Sequence, residues 1–329
     1  MENKKKILFI NFGGLGDEIL FLPTIQAMKK QFPNSEITLA LEKRSKGILE
    51  LCNDIDNVLF ANIKDNKILE LLKLLLNIWT KNFDIVVSSG SNKFISIFLF
   101  LTFIKKRYGY NSGKISEILL TNAIKLNKNQ YAGLMYYDLV KPLVKSEFCL
   151  PVFSIKRKPI VSNSILVHPG VSKLSIKKGM IKTITANQWA EVVEKLADLG
   201  KKVYLIGGPD DKECIEKIVE LVSYEKFENL YGTTRNLKDL AELISSSEKF
   251  LCSDSAPLHI AVALNTKTYV IFGSTDDKKL VPQSENVVVI KSDCSCPLRP
   301  CLWEKRQTTC ENLDCLKIST EKIVDTVLN

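Results

Sequence analysis

The residues of this chain that could do chemistry lie in short runs of glycine, small and acidic residues, and each run follows an apolar stretch. The runs are Gly13-Gly14-Leu15-Gly16-Asp17, His168-Pro169-Gly170, GGPDD at 207–211, SDSAPLH at 253–259 and GST at 273–275. Glycine lets a ligand approach the backbone closely, and open α/β sheets bind ligands beyond the carboxyl ends of their strands. These runs therefore predict the borders of a ligand site.

Asp17 is the acid that the first run presents, at the start of a predicted helix over 18–32. One interpretation is that it caps this helix, which contributes about 1 kcal/mol. The other is that it acts on a ligand that Gly13, Gly14 and Gly16 admit to the backbone. Ile19 stands where the dinucleotide fingerprint G-x-G-x-x-G requires its third glycine, so the run does not favour a dehydrogenase.

Ser255 and Ala256 open another predicted helix, whose free N–H groups and positive dipole end would suit a phosphate. Capping of that helix by Asp254 or Ser255 is the alternative. An anion is also indicated by residues 148–190, which contain no acidic residue and seven basic ones. These are Lys156, Arg157, Lys158, Lys173, Lys177, Lys178 and Lys182. One of these lysines facing the helix would complete a diphosphate site without a metal.

Histidine supply limits the mechanism, because His168 and His259 are the two histidines of the chain. Both fall in predicted ligand loops, where a structural hydrogen-bonding role is as good an interpretation as a functional one. No G-x-S-x-G elbow accompanies either residue, so the sequence gives little support to hydrolase chemistry.

Strand and helix patterns alternate along the chain and predict the elements that position these runs. Apolar runs at 5–12, 36–41, 83–87, 164–168, 202–206 and 268–272 indicate strands, and amphipathic patterns at 66–79, 187–199 and 237–246 indicate helices. A proline-containing basic seam at 145–163 divides the pattern. We therefore predict two Rossmann-like, doubly wound α/β domains, residues 1–155 and 156–329, that face a cleft holding the site.

Composition narrows the class of protein further. The 46 basic residues include only six Arg, which argues against a nucleic-acid surface despite a net charge of +9. No apolar run is long enough to span a bilayer, and the start of the chain has no cleavage pattern, so we expect a cytoplasmic protein. The apolar stretch 94–104, which Lys105-Lys106-Arg107 follow, is either a buried crossover helix or a patch that rests on the inner membrane surface.

Five of the nine cysteines crowd into residues 294–315. They are Cys294, Cys296, Cys301, Cys310 and Cys315. Their thiolates could converge on one structural Zn or Fe ion, and reduced free thiols or a local disulfide are the alternatives.

Taken in order, several segments resemble glycosyltransferase family 9, the heptosyltransferases of bacterial lipopolysaccharide core biosynthesis. They are ILFINFGGLGDEILFLPTIQAMKKQFPNSEITLALE, HPG, KTITANQW, VYLIGGPDD, NLYGTT, LKDLAELI, SDSAPLHIAVALNTKTYVIFGST and the late cysteine cluster. The resemblance covers nearly the whole chain and is weakest over 60–145.

The resemblance implies a GT-B type fold, with an acceptor-binding N-terminal domain and a C-terminal domain that binds a nucleotide sugar. It implies an inverting transfer, without a catalytic cofactor, from ADP-heptose to a saccharide or lipid-linked saccharide. Asp17 matches the family's base. Lys182 matches the lysine on the donor phosphates, but Ile184-Thr185 replace the Trp-Pro that follows in the family, so Lys178 is the alternative.

The resemblance also implies a donor pocket in the C-terminal half. Asp210 matches the acid that holds the donor ribose, and Asp254-Ser255-Ala256 match the family's Asp-Ser/Thr-Gly turn. Gly170, His168 and His259 fall in the same predicted loops. A non-catalytic nucleotide-sugar binder and a sugar-nucleotide epimerase on the same fold are the competing functions.

Overall fold

The computed structural model describes residues 4–63, 66–302, 310 and 312–329. The chain divides into two compact units, Met1–Ser154 and Ile155–Asn329. In the part of the chain that the structure describes, each unit is built on one six-stranded parallel sheet covered by helices. The predicted fold class, two doubly wound α/β domains, is confirmed, and the cleft between them stays a prediction.

The first unit follows the alternation that its sequence predicts. Its strands are β1 (Lys6–Ile10), β2 (Glu36–Leu41), β3 (Asn57–Phe60), β4 (Ile85–Ser88), β5 (Lys106–Tyr110) and β6 (Asn122–Ile124). Its helices are α1 (Leu15–Gln31), α2 (Lys67–Trp79), α3 (Lys93–Leu101), α4 (Lys114–Leu119) and α5 (Ala132–Asp138), and a 3-10 helix spans Lys43–Glu50.

Strand β1 shows how both faces of this sheet become buried. Successive side chains point to opposite faces of a strand, so Leu8 and Ile10 join a core with residues of α2 and α3, whereas Phe9 packs edge-on against Phe21 of α1 at 5.8 Å between ring centroids. A strand buried on both faces needs a continuous apolar run, and ILFI at 7–10 is such a run.

The second unit is built on the same plan. Its strands are β7 (Val161–His168), β8 (Lys202–Leu205), β9 (Phe227–Asn229), β10 (Ser247–Ser253), β11 (Lys267–Ile271) and β12 (Val287–Ile290). Its helices are α6 (Lys173–Lys177), α7 (Ala186–Asp198), α8 (Lys212–Leu221), α9 (Leu237–Ser246), α10 (Ala256–Leu264), α11 (Asp277–Leu280) and α12 (Thr320–Leu328). Single 3-10 turns span Pro209–Asp211, Tyr224–Lys226 and Asp314–Leu316.

Strand order decides where ligands can bind. The sheets run β3-β2-β1-β4-β5-β6 and β12-β11-β10-β7-β8-β9, so both have the Rossmann order when each is counted from its own first strand. The order reverses between β1 and β4 in one unit and between β7 and β10 in the other. Beyond the carboxyl ends of these pairs lie the crevices where doubly wound folds bind ligands.

Two predicted elements need correction. Helix α1 begins at Leu15, one turn before the predicted position, so Leu15 and Gly16 are helical and Asp17 lies inside the first turn. The apolar stretch 94–104 is a crossover helix, as one prediction had it, but only part of it is buried: Phe98 and Leu99 face the core while Phe94 and Phe100 are exposed. Within the described residues, no helix combines the length and the apolar character needed to cross a bilayer.

Candidate active site

Asp17 is held at the carboxyl end of β1 by the first turn of α1. It is the third residue of the helix, and its Oδ2 accepts a hydrogen bond from the backbone N–H of Gly14 at 2.8 Å. This bond is one half of a capping box, so the carboxylate does serve the helix terminus. Its other oxygen, Oδ1, accepts a hydrogen bond from the hydroxyl of Tyr136 at 3.4 Å.

Tyr136 comes from α5, more than a hundred residues along the chain, and packs edge-on against Phe21 of α1. Burial, and secondly the negative charge of Asp17, raise the pKa of Tyr136 well above its ordinary value. The phenol therefore keeps its proton and serves Asp17 as a donor. Asp17 itself is half-buried, unlike Glu18, which is buried.

The loop before α1 has no room for a side chain at position 13. A Cβ on Gly13 would lie 2.3 Å from Cβ of Asp17, so glycine at this position is what lets Asp17 fold back onto the loop. The carbonyl oxygen of Gly13 accepts hydrogen bonds from Arg44 at 3.0 Å and from the Ser45 hydroxyl at 3.1 Å. The 3-10 helix therefore fixes the backbone that orients Asp17. The other two glycines of this run begin α1: Gly14 is its N-cap and Gly16 its second residue.

Glu18, the next residue, is 1% exposed, and neither of its carboxyl oxygens has a hydrogen-bond partner in the described part of the chain. Burial, and secondly the charge of Asp17, raise the pKa of Glu18 well above its ordinary value. A buried carboxyl group without a cation partner is favoured in its neutral form. Asp17 and Glu18 are therefore adjacent acids in unlike surroundings.

In the second unit, Asp254 follows β10 and is buried together with a cation. Its Oδ2 lies 3.0 Å from Nζ of Lys182 and accepts a hydrogen bond from the Thr275 hydroxyl at 2.7 Å. The Lys182 side chain is 21% exposed, against 3% for Asp254. Lys182, Asp254 and Thr275 thus form one charged group at the ends of β10 and β11, which we name the Lys182 group.

Thr183 ties the segment that carries Lys182 to three parts of the fold. Its hydroxyl donates to the carbonyl oxygen of Pro169 at 2.7 Å and accepts from the hydroxyl of Ser253 at 2.6 Å and from the indole N–H of Trp189 at 2.9 Å. Trp189 is fully buried in the core. The hydrogen bonds of Thr183 therefore fix the backbone from which the Lys182 side chain extends.

Gly170 and Asp211 touch at the end of β7. A Cβ on Gly170 would lie 1.8 Å from Oδ1 of Asp211, so a side chain there would displace the acid. Oδ2 of Asp211 accepts from the N–H of Gly208 at 2.7 Å and lies 3.4 Å from Nε2 of His168. His168 thereby has the structural partner that the sequence left open.

A cavity of about 450 Å³ opens beside this contact. Gly170, Lys173, Lys177, Thr183, Asp210 and Asp211 are among the residues that line it. Asp210 is exposed, and its Oδ2 accepts from the N–H of Lys173 at 3.0 Å. Because Thr183 lines the cavity and Lys182 precedes it, the cavity and the Lys182 group are neighbours.

The other predicted donor-site residues of the second unit differ in burial and in the contacts that they make. Ser255 is the N-cap of α10 without a side-chain capping bond, and Ala256 is its first residue. His259 is buried within α10. Lys178 is exposed at the C-cap of α6, and the structure gives its side chain no ion pair in the described part of the chain. The structure thus brings Lys182, and not Lys178, onto Asp254.

The late cysteines do not form an assembled metal site. All five are described, no disulfide joins them, and no group of three or more Cys, His, Asp or Glu in the described residues is arranged to hold an ion. Burial raises the pKa of the Cys315 thiol to about 11. A structural metal ion at these cysteines stays a prediction.

Sequence reasoning missed Tyr136, Glu18, Asp211 and Thr183. Tyr136 lies in the stretch where the resemblance is weakest, and no local pattern marks it. Asp211 was within reach, because GGPDD offers two acids, but sequence order does not say which one turns inward.

Comparisons with known proteins identify the family and the fold of this chain. A family model described as Glycosyltransferase family 9 (heptosyltransferase) matches residues 71–310. Lipopolysaccharide heptosyltransferase 3 of Escherichia coli is 24% identical over 291 residues, a match that covers 83% of this chain and 84% of that protein.

Two solved structures share the fold over nearly their whole length. A glycosyltransferase of family 9 from Veillonella parvula has a TM-score of 0.78 at 21% identity, covering 100% of this chain and 98% of that one. The ADP-heptose lps heptosyltransferase II of E. coli has a TM-score of 0.73 at 18% identity, covering 97% and 96%. The family match supports a transferase, and neither the non-catalytic binder nor the epimerase. The chain belongs to glycosyltransferase family 9 and is a glycosyltransferase.

Proposed function

We propose that this glycosyltransferase moves a heptose from an ADP-activated donor to a saccharide of the lipopolysaccharide core, or to a similar lipid-linked saccharide, with inversion at the anomeric carbon. The names of the related proteins from E. coli support both the donor and the acceptor class. In this reaction an acceptor hydroxyl attacks the anomeric carbon, the bond from that carbon to the phosphate oxygen breaks, and ADP leaves.

Asp17 accepts the proton of the attacking hydroxyl in this proposal. Its carboxylate is oriented by Gly14 and Tyr136 while remaining half-exposed, and this fixed, reachable carboxylate is the observation that carries the proposal. Orientation matters more than basicity if the proton moves late, once the attacking oxygen has become strongly acidic.

The Lys182 group supports the departing diphosphate. Lys182 is fixed through Asp254 and Thr183, and the amides at Ser255 and Ala256 begin a helix. A helix dipole stabilises a nearby anion by at most about 2 kcal/mol. Lys182 therefore adds a full positive charge at the point where the departing diphosphate gains negative charge. The cavity beside Gly170 and Asp210 would take the remainder of the nucleotide.

The test of this function is Asp17→Asn assayed with ADP-heptose and a core saccharide. The amide oxygen can still accept the N–H of Gly14, so we expect the fold and ADP binding to persist while transfer is lost. Asp239→Asn is the matched control, because Asp239 is likewise the third residue of a helix, α9, and its Oδ2 accepts the N–H of Arg235 at 3.0 Å, so transfer should stay at the wild-type rate. If Asp17→Asn keeps turnover within about tenfold of the wild type, about 1.4 kcal/mol, Asp17 is only a helix cap.

We also propose that the protein works in the cytoplasm, at the inner membrane surface, where a lipid-linked acceptor would lie. A structural Zn or Fe ion at the late cysteines is a separate proposal, which rests on their spacing alone. Metal analysis of the purified, reduced protein tests it, and a content far below one ion per chain ends it.

A further inference from the structure

Helices α2 and α3 expose apolar side chains outside the candidate site. The exposed side chains that define this α2–α3 surface are Ile68, Leu72, Leu76, Phe94, Phe100 and Phe103. Ile68 is 74% exposed and Phe103 71% exposed, which is unusual for large apolar residues that cluster.

The pattern of α2 shows that this exposure is built into the helix. Leu74 and Ile78 pack into the core of the sheet. Ile68, Leu72 and Leu76 recur at intervals of four residues on another part of the helix. An ordinary surface helix has one apolar stripe, and α2 has a second that the sheet does not use.

The two helices form one continuous surface, because their exposed residues meet at both ends. At one end, the indole N–H of Trp79 donates to the carbonyl oxygen of Leu101 at 2.9 Å, and its ring lies 5.9 Å from the ring of Phe103. At the other end, Nζ of Lys67 lies 5.8 Å from the ring centroid of Phe94.

Phe103 keeps its exposed position in a backbone conformation that disfavours it. Its φ of 57° lies in the left-handed region, immediately after the C-cap of α3, where glycine or asparagine is usual. A bulky residue with positive φ is a genuine outlier. Phe103 does not favour this backbone conformation, and its exposed ring forms part of the α2–α3 surface.

Cations surround this surface. From the start of α2 onward, residues 67–137 contain ten Lys and Arg residues and three acidic ones, Glu70, Asp84 and Glu117, of which Glu70 pairs with Lys73 at 2.9 Å. Nζ of Lys93 lies 5.5 Å from the ring of Phe94, and the guanidinium of Arg107 lies 5.6 Å from the ring of Phe100. Long basic side chains beside apolar residues suit a boundary between acyl chains and anionic headgroups.

We propose that the α2–α3 surface docks the protein on an anionic lipid bilayer. The apolar side chains enter the acyl boundary, and the flanking lysines meet the headgroup phosphates. A second copy of the chain is a poorer occupant, because it would bring two sets of these cations together. The inference deepens the proposed function, on which its biological sense rests, by assigning the surface that meets a lipid-linked acceptor.

Vesicle sedimentation of the full chain tests the proposal. The probes are mixed phosphatidylglycerol–phosphatidylcholine vesicles and pure phosphatidylcholine vesicles. We expect the wild type to bind the anionic vesicles more strongly, and less so as salt increases. The variants Leu72→Gln/Leu76→Gln and Phe103→Gly should each weaken binding, the double variant by about tenfold or more. Phe103→Gly also keeps the fold, because glycine accepts a positive φ.

The matched control is Leu199→Gln/Leu221→Gln, which removes two exposed leucines from helix ends of the second unit and should bind like the wild type. Equal binding by the wild type and the Leu72/Leu76 variant overturns the proposal, and so does a wild type that does not bind. A wild-type dimer in ultracentrifugation that the same variant splits also overturns it, in favour of a second copy.

Transfer to a lipid-free acceptor separates this inference from the proposed function. The surface variants should keep wild-type transfer there, since none of the changed residues is Asp17, Tyr136 or a member of the Lys182 group. Absence of transfer by the wild type would count against the proposed function and leave the vesicle result standing.

Discussion

At the scale of single residues, adjacent acids take unlike roles in this chain. Asp17 is half-exposed and hydrogen-bonded through both oxygens, whereas Glu18 is buried and without a partner in the described part of the chain. Asp210 is exposed, whereas Asp211 is buried against Gly170. In each pair one acid faces solvent, where it can meet a ligand, and the other faces the fold.

Glu18→Gln should therefore change how stability depends on pH. The folded state raises the pKa of Glu18 above the unfolded value of 4.5. Below pH 4.5 the group is protonated in both states, so its ionisation does not affect the free energy of unfolding. As pH rises from 4.5 toward the raised pKa, only the unfolded state loses the proton, and the folded state becomes less stable. Glutamine stays neutral. We expect the variant to gain stability over the wild type as pH rises, by about 1.4 kcal/mol for each unit by which the pKa is raised. Urea unfolding at several pH values measures this, and parallel curves for the two proteins contradict it.

A second prediction at this scale separates the two candidate lysines. Lys182→Met should leave Asp254 buried without its cation and weaken ADP binding by at least about tenfold, because loss of a partner leaves an uncompensated charge. Lys178→Met removes an exposed side chain and should bind ADP nearly as the wild type does. Calorimetric titration with ADP measures both. The reverse order of effects would assign the phosphate role to Lys178.

At the scale of elements, the site in the second unit depends on a short segment that joins strand ends. Residues 181–183 contact the ends of three strands: Thr183 bonds Pro169 after β7 and Ser253 of β10, and the carbonyl oxygen of Ile181 accepts from Ser274 after β11. The segment has no regular structure and relies on these side-chain bonds.

Thr183→Val tests this dependence. The substitution preserves shape but leaves the buried Trp189 indole N–H without its acceptor, whereas the Ser253 hydroxyl keeps the Pro169 carbonyl at 3.0 Å. We therefore expect a loss of about 1–3 kcal/mol in the free energy of unfolding. Weaker ADP binding should accompany it. Thr183→Ser keeps the hydroxyl and should lose much less. Thermal and urea unfolding compare the two, and equal stability would show that the bonds do not hold the segment.

At the scale of the whole molecule, the two units repeat one strand order and place their functional groups at equivalent points. Asp17 follows the first strand of its unit, and Gly170 follows the first strand of the other. Each therefore lies at the reversal of strand order, where doubly wound sheets bind ligands. The two units thus share a topology but differ in their side chains: the first presents the carboxylate of Asp17, and the second presents the ammonium group of Lys182.

Hydrogen exchange of the full chain with ADP tests the assignment of the nucleotide to the second unit. We expect the strongest added protection over 169–183 and 253–256, since these segments carry the cavity and the Lys182 group. Saturating ADP should also stabilise the protein, by about 2.7 kcal/mol at a hundredfold excess over Kd. Protection confined to 11–17 would place the nucleotide in the first unit instead.

The sequence alone determined the alternation of strands and helices and the position of the glycine-containing loops, because both depend on local patterns. The strand predicted at 36–41 and the helix predicted at 237–246 agree with β2 and α9 to the residue. The resemblance to glycosyltransferase family 9 added the reaction type, glycosyl transfer, because the family's motifs occur in the same order along this chain.

Only the tertiary structure decided which members of each motif act together. Tyr136 reaches Asp17, and Lys182 reaches Asp254, across long stretches of chain. Burial of Asp211 rather than Asp210 depends on the space that Gly170 leaves. The exposed second stripe of α2 could not be separated from its buried stripe by sequence, because both are apolar. Contacts between distant residues set these outcomes, and local pattern does not contain them.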